Sequence, residues 1–219
     1  MKKRRQAHAA RIASPDELAE RGAEDLKAER FKEAVESYRP LVKIEPRPEW
    51  REALVTAYVG RGRTLVAKGM YKEATMVFDN ATEIDGAVHE PLVYLACLVR
   101  LGDTAKAARL CSKLLDGDRK GVTAEALPRI ADLAAALWLG GDPPPPESSL
   151  AKVFEAAGKA LAAWSGGASA EEIDALLGAI PLRSPFKPLR LILKSLTGAE
   201  DPERRLKLLD MVPPDSAFG

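Results

Sequence analysis

Histidine and cysteine are nearly missing from this sequence, with two of each among 219 residues, and that scarcity narrows the chemistry first. His8 lies in a basic opening stretch, while His89 and Cys97 stand eight residues apart in an apolar segment. On a helix that spacing is roughly two turns, too far for two ligands of one metal. No histidine is placed to activate a serine or cysteine, so no nucleophile and base pair is indicated. No GxxxxGK[ST] motif occurs. Gly60-Arg61-Gly62-Arg63 falls within a helical pattern, not after a strand. The sequence therefore reads as no enzyme, with no cofactor and no metal.

Excess charge is also lacking. The 33 basic and 32 acidic side chains nearly cancel, so no global field argues for nucleic acid or a membrane surface. Only the start, residues 1–13, is one-sided, with Lys2, Lys3, Arg4, Arg5 and Arg11 and no acid. Such an arm reads as a solvated terminus, with contact to nucleic acid or an anionic surface as the alternative. Long apolar runs are missing too. Runs such as Leu133 to Leu139 and Leu92 to Val99 are far short of the roughly 20 residues that span a bilayer. No apolar stretch follows the basic start, as a secretory leader would require. Cys97 and Cys111 sit in apolar helical patterns and read as small buried hydrophobes of a cytoplasmic protein.

What is present is helical periodicity, with no run of β-type alternation. Ser14-Pro15-Asp16-Glu17 is a helix start: Ser14 as cap, Pro15 in the first turn, Glu17 closing a capping box. A long helix is expected from Pro48 to about Gly69, interrupted by Gly60 and Gly62. Glycines inside a helix point to a close approach by another backbone. Self-similarity then emerges at periods of 33 to 40 residues. Phe31-Lys32-Glu33-Ala34 with Tyr38 matches Tyr71-Lys72-Glu73-Ala74 with Phe78. Thr104-Ala105-Lys106-Ala107 with Cys111 matches less closely. Ala34, Ala74 and Ala107 share one slot, the longer first interval being absorbed by an extended first helix after Pro46.

These segments resemble tetratricopeptide repeats. The matching positions are a small residue in the first helix (Gly22, Gly62), a turn glycine (Gly69, Gly102), and an aromatic and alanine opening the second helix. A later aromatic follows, Tyr38 or Phe78. The third copy departs, with Leu95, Thr104 and Cys111 at three of these places. The first has Glu29 for the turn glycine. The resemblance covers about residues 14–121 and implies an all-α, right-handed solenoid of stacked antiparallel hairpins. In it, small residues let paired helices approach, and aromatics fill the gap to the next hairpin.

Beyond residue 121 the pattern changes. A further helix is expected over Ala124–Leu139 within 122–141, followed by a proline-rich connector, 142–147. Its four prolines, Pro143 to Pro146, suggest a stiff and exposed segment. Over 148–219 a looser period of 32 residues appears. Ile180-Pro181-Leu182-Arg183-Ser184-Pro185-Phe186 recurs as Val212-Pro213-Pro214-Asp215-Ser216-Ala217-Phe218. On this period Phe154 and Phe186 are expected at equivalent buried positions of successive hairpins.

The resemblance implies a concave face, lined by the first helix of each hairpin, that holds a peptide or helix of a partner protein. Lys27, Val59, Arg63, Val66, His89, Leu92 and Arg100 fall on it, an apolar floor with basic rims. Members that grip a carboxyl-terminal acidic peptide use lysines and asparagines where this chain has Ala19, Ala23 and Gly60, so that activity is not implied. The expected function is a protein-interaction scaffold. Its alternatives are a nucleic-acid or anionic-surface binder through the basic arm, or the docking region of a larger enzyme.

Overall fold

The computed structural model describes residues 14–117, 120–197, 201–214, 216 and 218; the basic arm expected over 1–13 lies outside them. Every regular element among the described residues is an α-helix, eleven in all. The chain divides into two compact units, Met1–Gly86 and Ala87–Gly219, so the third repeat-like segment stands in the second unit.

The first unit holds α1 (Pro15–Lys27), α2 (Phe31–Ile44), α3 (Pro48–Ala67) and α4 (Tyr71–Asp85). Each packs on its sequence neighbour, and α1 also touches α3. Ser14 starts α1 with a complete capping box: the Glu17 N–H donates to Ser14 Oγ at 3.2 Å, and the Ser14 N–H to Glu17 Oε2 at 2.8 Å. The longer first interval resides in α3, which has 20 residues against 13 in α1. Both α1 and α3 have a proline in the first turn, where its missing N–H costs nothing.

One turn closes each hairpin in the same way. The N–H groups of Arg30, Met70 and Asp103 donate to the carbonyls of Asp25, Leu65 and Leu98. The residue before each is left-handed: Glu29, Gly69 and Gly102 have φ of 54°, 73° and 75°. This is the Schellman closure, which satisfies carbonyls that the helix end would otherwise orphan. Glu29 thus adopts the glycine conformation without being glycine. In the first copy Asp25 stands where the other closures have Leu65 and Leu98. It is buried and held by Arg30, whose Nη2 lies 2.7 Å from Oδ1.

The glycines inside α1 and α3 face rings, not the backbones that their pattern suggests. A Cβ on Gly22 would lie 2.7 Å from the Tyr38 ring, and one on Gly62 would lie 2.7 Å from Phe78. Both pairs are 16 residues apart in sequence and join the two helices of one hairpin. The later aromatic therefore fills its own hairpin. It is Phe31, the earlier aromatic, that reaches onward, its ring lying against Gly60 of α3. Ala34, Leu41, Ala57 and Ala81 complete a core with no accessible surface. At the same 16-residue spacing the second unit has Leu95 and Cys111, both fully buried, with the size order inverted.

The second unit contains α5 (Pro91–Arg100), α6 (Thr104–Leu115), α7 (Ala126–Leu139), α8 (Ala151–Ser165), α9 (Ala170–Gly178), α10 (Lys187–Thr197) and α11 (Pro202–Asp210). Neighbours pack in sequence, with α5 also on α7 and α8 also on α10. Helix α7 starts at Ala126, two residues later than expected, because a turn from Thr123 to Ala126 precedes it. The proline segment is exposed only in part, at Pro143 and Pro146. Pro144 is buried and Pro145 half-buried, and the chain turns at once as the Ser148 N–H donates to the Pro145 carbonyl. Ser149 then donates through both N–H and Oγ to the Asp116 carboxylate after α6.

Helices α9 and α11 have nine residues each, start 32 residues apart, and are capped by Ser169 and Asp201 at the same interval. Their exits match bond for bond. The N–H groups of Ile180 and Val212 donate to Leu177 and Leu209, and those of Ser184 and Ser216 to Pro181 and Pro213. The phenylalanines do not keep this register. Phe154 lies inside α8 and is half-buried, whereas Phe186 precedes α10 and is fully buried. Helices α8 and α10 end 32 residues apart but have 15 and 11 residues, so alignment fails at their starts. The two rings instead meet each other, with centroids 6.3 Å apart, and Trp138 of α7 joins Phe186 at 5.9 Å.

Candidate functional site

The seven residues expected on a concave face divide between the units. Lys27, Val59, Arg63 and Val66 belong to the packed pair α1 and α3 of the first. Val59, Arg63 and Val66 recur at helical spacing along one side of α3. Both valines are half-buried, with Val59 packed on the core, while Lys27 and Arg63 are exposed. Ala19 and Ala23 of α1 are also half-buried. The Tyr38 hydroxyl donates to the Ala19 carbonyl at 3.3 Å from beneath, fixing α1. The surface so formed has small apolar residues at its floor and cations above them.

His89, Leu92 and Arg100 belong to the second unit, on α5 or just before it. His89 and Leu92 are half-buried and Arg100 exposed. Arg63, His89 and Arg100 are each engaged by other groups of the protein.

A groove of about 580 Å³ in the second unit was not foreseen. Its walls are the first turns of α7 and α10, with the segments that follow α9 and α11. Those two segments are the copies of the recurrent phrase: Leu182, Arg183 and Pro185 come from one, Pro213 and Ser216 from the other. The recurrence was legible in the sequence; that both copies would line one cleft was not. Buried Ile180 and Val212 anchor them, and the Arg190 guanidinium donates to the Ile180 carbonyl.

Other chemistry finds little footing. Among the described residues no group of three or more His, Cys, Asp or Glu side chains is placed to hold a metal. No helix among them is long and apolar enough to cross a membrane. Cys97 and Cys111 are free, buried thiols. Burial pushes Cys111 up to about 12, and Cys97 in the same direction, so neither offers a reactive thiolate.

No protein-family model, no curated protein and no solved structure matches this chain.

Proposed function

We propose that this protein is a non-catalytic interaction module, that its hairpins are tetratricopeptide-like, and that the α1 and α3 face binds a segment of a partner protein. The supporting observation is the repeated contact of Gly22 with Tyr38 and of Gly62 with Phe78 at one spacing. A glycine under a ring brings the paired helices of a hairpin together. Beside that contact, on α1 and α3, stand the half-buried Val59 and Val66 and the exposed Lys27 and Arg63. Shallow apolar floors with charged rims suit a peptide or helix, whose side chains fill the floor while its polar groups meet the rim.

Affinity capture from the protein's own cells tests the proposal. Partners retained by the intact protein should be lost or weakened at least tenfold by Lys27→Ala with Arg63→Ala, once circular dichroism shows the fold intact. Retention of every partner at wild-type affinity would move binding away from this face.

A further inference from the structure

We infer that the groove between α7, α10 and the two recurrent segments is a second docking site, and that it takes an acidic segment of another protein bearing apolar side chains. This inference stands on residues separate from the α1 and α3 face.

Charge identifies the occupant. Among the described residues, Arg129, Arg183 and Lys187 line the groove against a single acid, Asp132. The three cations come from three places: the first turn of α7, the segment after α9, and the start of α10. None has an ion-pair partner among the described residues. Elsewhere acids are at hand for such groups, as Asp174 is for Lys194 at 3.2 Å and Glu155 for Lys159 at 2.6 Å. Here two arginine forks and an ammonium line one cleft, with cations outnumbering acids three to one among the described residues. Arginine binds carboxylates through two parallel hydrogen bonds, so an acidic chain satisfies these groups best.

The floor supplies the apolar half. Pro128, Pro185, Pro188 and Pro213 contribute rigid rings, which lose no side-chain freedom when covered. Beside them Leu182 and Met211 are 57% and 55% exposed, large apolar groups held at the surface without cover. The volume lies within the range of ligand clefts. A nucleic acid would want rings on which bases stack, and among the described residues no Phe, Tyr or Trp lines the groove. A membrane would want an apolar face that projects, whereas this one is recessed between helices. An extended polypeptide with carboxylates and apolar side chains matches both halves of the lining.

The test pans a display library of short random peptides on the full-length protein and measures the enriched sequences by fluorescence anisotropy. Peptides rich in Asp and Glu among apolar residues should be enriched. Arg183→Glu with Lys187→Glu should weaken them at least tenfold, and Leu182→Ser several-fold with charge unchanged. All three positions are at least partly exposed, and thermal melts monitored by circular dichroism confirm that each variant folds. Lys27→Ala with Arg63→Ala should leave this binding as it is. Enrichment of neutral or basic peptides, no enrichment at all, or equal binding to the charge-reversed variant would overturn the inference. So would binding of anionic phosphatidylserine vesicles that the enriched peptides fail to displace.

Discussion

Gly62 and Phe78 are in such close register that any side chain on the glycine would collide with the ring, 2.7 Å from the nearest carbon. Phe78 is 1% exposed and has no room to withdraw. Alanine at Gly62 would gain about 1 kcal/mol of helix propensity but overpack the hairpin by about 1–3 kcal/mol. Gly62→Ala is therefore expected to destabilise on balance. Phe78→Leu in the same chain should recover part of the loss, measured as non-additivity in a urea double-mutant cycle. Strict additivity would show that the two residues do not share the space.

Glu29 sits at φ 54° in the closure where Gly69 and Gly102 stand. A left-handed backbone costs a residue with a Cβ about 1–2 kcal/mol, and glycine gives some of that back as unfolded-state entropy. Glu29→Gly should raise stability by about 0.5–1 kcal/mol, seen as a higher melting temperature. A lower one would mean that the Glu29 side chain contributes more than its strain costs.

Ala74 has no accessible surface. Ala74→Glu would bury a carboxylate with neither space nor partner, and a loss of more than about 4 kcal/mol is expected. Circular dichroism at room temperature should show an unfolded or barely folded chain. An unchanged melting midpoint would place the second hairpin in a different register.

Phe186 is fully buried between Trp138 and Phe154, and Phe154 is half-buried. Phe186→Ala should cost about 3–5 kcal/mol, and Phe154→Ala distinctly less, in urea unfolding followed by tryptophan fluorescence. Equal losses would contradict the asymmetry between the two rings.

Alkali should weaken the fold through the buried thiols. Cys111 is raised from 9.0 to about 12, and burial also raises Cys97 and Tyr38. Each is neutral when protonated, so the unfolded chain ionises first. The stability they confer is complete below about pH 9 and declines as pH rises from there toward 12. For Cys111 the decline approaches about 1.4 kcal/mol per pH unit. Urea midpoints taken between about pH 8 and pH 10.5 should fall, and Cys111→Ala should flatten that slope. An identical slope in the variant would assign the loss to other groups.

Local chemistry was legible from residue order alone. Helix starts at Ser14 and Pro48, the closures at Gly69 and Gly102, and the 32-residue interval from α9 to α11 depend on caps, φ preferences and apolar spacing. Those act over a few residues and leave a mark in the chain itself. Packing decided the rest. Only the folded hairpins show that Gly22 and Gly62 lie beneath rings, that Phe31 reaches Gly60, and that Phe186 abandons its repeat position to meet Phe154 and Trp138. Only they bring Arg129 to one groove with Arg183 and Lys187, far along the chain from it. Such contacts join residues through space, where fit and unmet charge decide, and the order of residues does not encode which distant side chains will share a cleft.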